Sequence, residues 1–284
     1  MRSPAVSIVM PVFRPHPRHF GEAIDSILAQ TFTDWELVVV EDPSDRPGAE
    51  VIAARADPRI RHLRNETRTS LPRQHNRAVA EARAALVARF DADDISEPQR
   101  LEKQVRYLED HPDVDVVASQ LTIIDDAGRV IGARDYPTTH EAIVRAMHRY
   151  NPISGSNAMF RRRVVDAVGG WREHSSRPAQ DYEWYSRVAS RGFRFAILPE
   201  RLVRYRVHTD QIKHRQLRGT ILTSLEVRRR YWFRSMDFRS RLQLVAEHAA
   251  PLLPMSLALA LYRGRHYRAA PASPDDPREV RGRS

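Results

Sequence analysis

The chain has 284 residues, of which 42% are hydrophobic, so it is long enough to bury a substantial core. It contains no cysteine, which excludes disulfides and thiolate metal sites and agrees with a cytosolic compartment. The formal net charge is +10, but no basic run is interleaved with aromatic residues, so we do not expect a nucleic-acid partner. No apolar run is long enough to span a bilayer, which predicts a soluble or membrane-peripheral protein.

The first forty residues predict a strand, a helix and a second strand. Val6 to Val12 is a short run rich in β-branched residues, and apolar residues at helical spacing follow between Phe20 and Leu28. A second apolar run, Trp35 to Val40, then leads into Glu41 and Asp42. This succession predicts a parallel pair of strands joined by a right-handed crossover. The turn after the first strand lacks glycine and no GxxxxGK loop is present, which excludes the usual dinucleotide and phosphate-loop motifs.

Two more strand and helix pairs are predicted before residue 110. Ile60 to Leu63 is a third short strand, and Ser70 is placed to cap the helix that follows it. Leu86 to Phe90 is the fourth strand. Beyond it Ser96 and Gln99 stand at capping-box spacing, which predicts that the next helix starts there.

A cluster of three aspartates follows the fourth predicted strand: Asp91, Asp93 and Asp94. Carboxylates this close repel one another unless a cation neutralises them, and their oxygens suit hard divalent ions such as Mg²⁺ or Mn²⁺. Ligands of open α/β sheets also bind at the carboxyl ends of the strands. A solvated turn is the alternative, because aspartate favours turns and helix caps.

The pattern changes after residue 112, where shorter strands are predicted. A polar loop of small residues, Asn151 to Asn157, would let a ligand approach its backbone closely. Gln180 then opens a helix on which Asp181 shares a face with the apolar residues Trp184, Tyr185 and Val188. We therefore expect this carboxylate to point inward, although an aspartate there is also a common dipole-stabilising cap.

The C-terminal part of the chain reads as helical and basic. The late strand Leu202 to Val207 ends next to His208, and it could return toward the acidic turn. Helical patterns begin near Arg215, and the apolar segment Pro251 to Tyr262 is too short to span a membrane. That segment fits either a packing helix or a membrane-surface helix. The tail from Ala270 is rich in proline and charge, which predicts disorder.

Taken together, seven stretches resemble the inverting family 2 glycosyltransferases with the GT-A fold, over roughly residues 5 to 212: VSIVMPVFRP, SILAQTFTDWELVVVED, RFDADDISEPQRLEKQ, NPISGSNAMFRR, VGGW, QDYEWYSRVASRGFRF and LVRYRVH. The resemblance implies an α/β fold of GT-A type: a Rossmann-like, mostly parallel sheet flanked by helices, with a C-terminal helical appendage. It places a glycosyltransferase domain at 1–212, with a nucleotide-binding half at 1–110 and an acceptor half at 111–212. A helical extension at 213–269 and a disordered tail at 270–284 would follow.

The resemblance also implies roles for individual residues. Nucleotide binding would fall to residues of the first half: Pro11, Phe13, Asp42, Arg73 and Asp91. Among them Asp42 would accept hydrogen bonds from the base, and Asp91 would lie near the ribose. Arg73 is one of three basic residues in the region of the donor loop, with Arg68 and His75. Asp93 would bind Mn²⁺ or Mg²⁺, His208 matches a position that completes the metal site in some relatives, and Asp181 matches the catalytic base.

The implied activity is metal-dependent, inverting transfer of a hexose from a nucleotide-sugar, by resemblance a UDP-sugar, to a glycan or lipid-linked acceptor of cell-surface polysaccharide synthesis. The enzyme would be cytoplasmic and peripheral at the inner face of the cell membrane, with the C-terminal helices as a membrane contact. Gln180 stands where the family usually has glutamate, so a neighbouring negative charge is missing. No QxxRW segment is present, which favours transfer of a single sugar over processive synthesis.

Two other functions stay open at this point. A nucleotidyltransferase would also use an α/β sheet with acidic metal ligands, but it would not need Asp181 and should carry a glycine-rich basic loop after the first strand. A nucleotide-sugar-binding or membrane-bound scaffold without activity would fit the change at Gln180.

Overall fold

The computed structural model describes residues 3–173, 179–207, 213–247 and 268–269. Its strands are β1 Val6–Val12, β2 Trp35–Glu41, β3 Ile60–Arg64, β4 Leu86–Arg89, β5 Ile95–Ser96, β6 Val116–Ile124, β7 Val130–Arg134, β8 Met159–Arg161, β9 Phe195–Arg206 and β10 Arg268–Ala269. Its helices are α1 Pro17–Leu28, α2 Ala49–Ala53, α3 Leu71–Glu81, α4 Arg100–Asp110, α5 His140–Met147, α6 Arg162–Val168, α7 Gln180–Ser190, α8 Lys213–Val227 and α9 Phe238–Glu247. A π-helical turn, Arg228–Trp232, joins the last two helices.

The first half of the sheet is parallel, as the alternating pattern predicts. Strand β1 pairs in parallel with β2 on one side and β4 on the other, and β3 continues the parallel array beyond β2. All residues of β1 and β2 are buried, because helices cover both faces of this part of the sheet. Burial on both faces explains why these strands read as continuous apolar runs rather than alternating ones.

The second half of the sheet is mixed. Strand β8 lies antiparallel between β4 and β6, β7 is antiparallel to β6, and β9 is parallel to β6 but antiparallel to β5. The α/β class with flanking helices is thus confirmed, while the sheet holds more antiparallel pairs than expected. The tight turn between β6 and β7 explains part of this, because a hairpin reverses the chain without a crossover helix.

Two predicted helix starts have opposite outcomes. The Ser70 cap is confirmed, since its Oγ accepts the backbone N–H of Arg73 at 3.3 Å. The capping box at Ser96 is wrong, because Ser96 lies in β5, pairs with Val203 of β9, and helix α4 begins only at Arg100. Pairing with a distant strand satisfies the backbone of this segment in place of the local cap.

The helices that follow β9 pack against the core through polar anchors. The Trp232 indole donates to Ser186 Oγ of α7 at 3.0 Å, and the Tyr231 hydroxyl donates to Glu183 Oε1 of the same helix at 2.5 Å. The Pro251 to Tyr262 segment and the tail from Ala270 lie outside the described residues. Within the parts of the chain that are described, no helix has the length and apolar character needed to cross a bilayer.

Candidate functional site

The candidate site lies at the carboxyl ends of three parallel strands, β1, β2 and β4. The chain leaves β2 at Asp42, whose backbone N–H donates to Val12 O at the end of β1 at 3.0 Å. The acidic turn begins directly after β4, because Phe90 still donates its N–H to Val9 O at 3.1 Å. Parallel neighbours therefore bring Asp42 and the acidic turn to one edge of the sheet, at the carboxyl ends of the strands, where such sheets bind ligands.

Neutral hydrogen-bond donors hold the carboxylate of Asp42. Its side chain is buried, with a relative exposure of 2%. Asn65 Nδ2 donates to Oδ1 at 2.5 Å, and the backbone N–H of Thr69 donates to Oδ2 at 2.6 Å. The Thr69 hydroxyl lies 3.0 Å from Oδ1. These contacts fix both carboxylate oxygens in direction without placing a cation beside them.

The other candidates for the nucleotide pocket lie near the end of β1. Pro11 is buried in β1 and aligned with Val40 of β2. Phe13 is partly exposed, and the Arg68 guanidinium lies over its ring at 4.2 Å from the centroid. A flat aromatic surface backed by a cation is a suitable platform for a nucleobase or a phosphate.

The acidic turn carries carboxylates in very different surroundings. Asp91 is accessible, with 31% of its side chain exposed, and its backbone N–H donates to Ser156 Oγ at 3.1 Å. Burial of the surrounding region raises the pKa of Asp91; the nearby Arg89 opposes this effect, and Asp93 and Asp181 reinforce it. Asp94 is fully buried, and burial together with the charge of Asp93 raises its pKa well above the usual range. The mutual repulsion of these groups would be relieved by a bound cation.

The C-terminal end of strand β9 lies beside the acidic turn, where the sequence analysis suggested that this strand could return. The Arg206 guanidinium is fully buried and donates to the Asp93 carbonyl at 2.8 Å and to Glu22 Oε2 at 2.6 Å. Its backbone N–H donates to Asp94 Oδ1 at 2.8 Å. His208 follows two residues later but lies outside the described residues.

The residues present offer an incomplete metal centre. Among the described residues no group of three or more His, Cys, Asp or Glu side chains is placed to hold a metal ion. The oxygen donors of Asp91 and Asp93 nevertheless suit Mn²⁺ or Mg²⁺, which take carboxylate oxygens and commonly keep waters and substrate phosphates as further ligands. The Asp93 carboxylate therefore suits a cation that takes its other ligands from waters and a bound diphosphate.

A buried arginine links the acidic turn to Asp181. The Arg89 guanidinium, whose side chain is 3% exposed, lies 2.5 Å from Asp181 Oδ2 through Nη1 and 3.3 Å from Asp91 Oδ1 through Nη2. A Cβ added at Gly155 would lie 2.4 Å from Nη1 of this arginine. The sequence had suggested that the small residues of the polar loop make room for a ligand. At Gly155 the room is taken by Arg89 instead.

Asp181 points inward, but its direct partners are polar. It lies near the start of α7, and the neighbours on its helix face, Trp184 and Tyr185, are fully buried. The indole N–H of Trp171 donates to Oδ1 at 3.0 Å, so each carboxylate oxygen has one partner. The Trp171 ring stacks on Trp184 at 4.5 Å between centroids, which fixes the indole donor in place.

The basic residues of the predicted donor loop separate in space. Arg73 is 62% exposed and forms an ion pair with Glu173 at 2.7 Å. His75 is fully buried, stacks on Trp171 at 5.0 Å, and makes no hydrogen bond with either ring nitrogen. Burial, aided by the positive charge of Arg89, holds the pKa of His75 well below its usual range, so the ring is neutral. Of the three, Arg73 and Arg68 are accessible to a ligand, whereas His75 is part of the core.

Sequence reasoning missed the residues that hold the candidate carboxylates: Asn65, Thr69, Arg89, Ser156 and Trp171. One signal was available for Arg89. It is an arginine inside a predicted buried strand, and a buried charge in such a position requires a carboxylate partner.

Comparison with known proteins identifies the family of the chain. Residues 7–169 match the family described as glycosyl transferase family 2. The chain is 32% identical to EpsE of Bacillus subtilis over 222 residues, which cover 77% of this chain and 78% of EpsE. It is 29% identical to the O-antigen biosynthesis glycosyltransferase WbnJ of Escherichia coli over 72% of this chain and 80% of WbnJ.

Two solved structures are similar in fold. TarS of S. aureus, residues 1–349, has a TM-score of 0.63 at 15% identity and is matched over 92% of this chain and 73% of its own. The mannosyltransferase PcManGT of Pyrobaculum calidifontis, in complex with GDP-Man and Mn²⁺, has a TM-score of 0.60 at 18% identity, over 93% of this chain and 80% of its own. TarS has also been solved with UDP-GlcNAc.

Proposed function

The chain is a glycosyltransferase of family 2, and on that premise we propose that it transfers a single sugar, with inversion, from a nucleotide-sugar to a glycan or lipid-linked acceptor. The observation that carries this proposal is the Arg89 bridge, which brings the inward-facing carboxylate of Asp181 next to the acidic turn at Asp91. A base and a donor site must lie this close for a direct displacement at the anomeric carbon.

The donor would bind along the sheet edge that carries Phe13, Asp42 and Asp91, with Pro11 in its floor and Arg73 toward the diphosphate. Two structures of the same fold were solved with the nucleotide-sugars UDP-GlcNAc and GDP-Man, which supports this class of donor. We propose a UDP-sugar as the donor of this chain. The fixed carboxylate of Asp42 is suited to accept hydrogen bonds from the N–H groups of a base.

The cation site would consist of Asp93, completed by His208. A bound Mn²⁺ or Mg²⁺ would neutralise the negative charge that develops on the departing diphosphate. The Arg206 contact to the Asp93 carbonyl holds the acidic turn against the end of β9, and His208 follows Arg206 by two residues in the sequence. The Mn²⁺ in the PcManGT complex supports a divalent ion in this fold.

Asp181 would accept the proton of the acceptor hydroxyl. Trp171 and Arg89 each occupy one of its oxygens, and each oxygen retains a second lone pair for the incoming hydroxyl. Their contacts restrict the rotation of the carboxylate, which keeps it ready for attack from one direction. Direct displacement of the diphosphate by an acceptor hydroxyl that Asp181 deprotonates would invert the anomeric carbon. Gln180 removes a neighbouring charge but leaves Asp181 held as described.

The acceptor would belong to cell-surface polysaccharide synthesis, at the cytoplasmic face of the cell membrane. The name of WbnJ, an O-antigen biosynthesis glycosyltransferase, supports this class of product. Neither a scaffold without activity nor a nucleotidyltransferase would need a carboxylate at the position of Asp181. The position of Asp181 therefore favours a glycosyltransferase over both alternatives.

A transfer assay tests the proposal. Wild-type protein is incubated with Mn²⁺, a panel of UDP-, GDP- and dTDP-sugars and bacterial lipid extracts as acceptors, and anomeric configuration is read by NMR of the product. We expect transfer of one sugar with inversion, dependent on the metal. Two results would overturn it: retention of configuration, or, in a parallel reaction with added pyrophosphate, conversion of the nucleotide-sugar to a nucleoside triphosphate and a sugar 1-phosphate in place of a glycoside.

A further inference from the structure

The last described helix, α9, presents apolar side chains to solvent. Phe238, Leu242 and Val245 are 78%, 60% and 64% exposed. They stand at positions i, i+4 and i+7, so they form one stripe along the helix. We call Phe238, Leu242 and Val245 the α9 stripe. Exposure of three large apolar residues in a row is unusual for a surface that faces only water.

The opposite face of the same helix packs on the protein. Ser240 and Leu244 are buried, with exposures of 4% and 1%, and they lie roughly 150° around the helix from the α9 stripe. Asp237 Oδ1 accepts the Ser240 N–H at 2.7 Å, which caps the start of the helix. The α9 stripe is therefore directed away from the core by a helix that is anchored on its other side.

Positive charges flank the α9 stripe. Arg239 and Arg241 are exposed and fall on its two sides at the helical periodicity of 100° per residue. Arg241 also donates to the carbonyls of Phe233 and Arg234 at 3.1 and 3.0 Å, which ties it to the preceding turn. Three more exposed arginines precede α9 in the chain: Arg229, Arg230 and Arg234.

We propose that α9 lies on the surface of a membrane rich in anionic lipid, with the α9 stripe in the acyl boundary and the arginines on lipid phosphates. An apolar stripe bordered by arginines on a helix too short to span is the arrangement of an interfacial helix. Guanidinium groups bind phosphate oxygens, and each exposed arginine contributes to attraction by an anionic surface. The arginines on both sides of the stripe favour an anionic surface over a neutral protein partner.

This inference extends the proposed function by assigning a surface that would bring the enzyme to a lipid-linked acceptor. It does not depend on the reaction, because lipid binding is measured without donor or acceptor. If the protein binds vesicles but transfers no sugar, the result counts against the proposed function alone. If it transfers sugar but does not bind vesicles, the result counts against this inference alone.

The test is co-sedimentation of the full chain with vesicles of phosphatidylcholine alone or mixed with phosphatidylglycerol. We expect binding to the mixed vesicles that weakens as salt rises. The variant Phe238→Ser/Leu242→Ser should lose most of this binding. The matched control, Val130→Ser/Ile131→Ser, changes apolar residues of β7 that are 61% and 51% exposed and should bind as the wild type does.

A second pair of variants tests the charges. Arg239→Gln/Arg241→Gln should lower the partition coefficient on mixed vesicles about tenfold or more. Arg106→Gln/Arg191→Gln makes the same change in net charge at exposed arginines in α4 and directly after α7, and it should have little effect. Circular dichroism verifies that each variant is folded.

Three results would overturn the proposal. The wild type fails to bind mixed vesicles; it binds them but the α9 stripe variant binds equally well; or sedimentation equilibrium shows a dimer that the α9 stripe variant dissociates. The last result would assign the stripe to a second copy of the chain.

Discussion

In both Asp42 and Asp181 each carboxylate oxygen has a partner. The partners of Asp42 are neutral, whereas one partner of Asp181 is a cation. Asp42 receives its hydrogen bonds from the neutral groups of Asn65 and Thr69. Asp181 is held by the cationic Arg89 and by the indole of Trp171. Neutral donors fix a direction for accepting hydrogen bonds, which suits recognition of a base. The buried cation of Arg89 pairs with the Asp181 carboxylate and fixes it beside the acidic turn, which suits a base that must face the donor site.

The largest expected effect comes from Asp181→Asn. Asparagine keeps the shape of the side chain but cannot act as a base, so the transfer rate should fall about 10²- to 10⁴-fold. Nucleotide affinity should stay within about twofold, because the proposed donor contacts involve the other carboxylates. Both are measured by steady-state transfer kinetics and calorimetry. Asp110→Asn, at an exposed carboxylate of α4, is the control. Turnover within about tenfold of wild type would remove Asp181 from the base role.

The second effect concerns the Arg89 ion pair. Arg89→Met leaves Asp181 and Asp91 without their cation and should destabilise the protein by about 2–3 kcal/mol, less than a fully buried pair because Asp181 is 21% exposed. In Arg89→Met/Asp181→Asn part of this loss should return. Urea unfolding of the four proteins gives the coupling energy.

A surface pair provides the control for this cycle. Arg55 and Asp25 form two hydrogen bonds at 2.9 and 2.8 Å, yet the Asp25 side chain is 58% exposed. A double-mutant cycle on Arg55 and Asp25 should give a coupling energy below about 1 kcal/mol. Equal coupling energies for the two pairs would show that burial does not distinguish Arg89.

The third effect separates binding from chemistry at Asp42. In Asp42→Asn one oxygen that accepts from Asn65 or Thr69 becomes an amide group that cannot accept. We expect nucleotide affinity to fall about tenfold, the cost of a misdirected hydrogen bond, with little change in the rate of the chemical step. A comparison of KM and kcat with those of Asp181→Asn tests this. An effect on kcat alone would reverse the roles assigned to the two carboxylates.

The smallest effect concerns His75. Because burial lowers its pKa, the unfolded chain binds a proton below about pH 6.5 that the folded protein does not. Wild-type stability should therefore fall by about 1 kcal/mol between pH 7.5 and pH 5.5 through this group, and His75→Leu should remove that loss. Urea unfolding at the two pH values measures it.

The control for His75 is the same substitution at His111, which is exposed. His111→Leu should bring no gain in stability at the lower pH. If His75→Leu and wild type lose stability equally on acidification, the imidazole is protonated in the folded protein.

The parallel half of the site could be predicted because its signals are local. Buried parallel strands read as apolar runs, and polar residues that end them, such as Asp42 and Asp91, must meet at one edge of the sheet. The inward orientation of Asp181 followed from helical periodicity with Trp184.

The rest depends on contacts between distant segments. Arg89 and Asp181 are brought together only after the antiparallel strands have positioned α7, and no local pattern encodes that pairing. Ser96 shows the same limit, since a local capping pattern lost to pairing between β5 and β9. The partners of Asp42 come from the loop between β3 and α3, whose conformation is set by the contact itself.

The most direct test of a donor site at the acidic edge is calorimetric titration of UDP, dTDP and GDP. Each nucleotide is titrated with Mn²⁺ and with EDTA, into the wild type and into Asp93→Ala. We predict metal-dependent binding of one nucleotide, which names the carrier, and its loss in Asp93→Ala. Binding of no nucleotide under either condition would contradict the account.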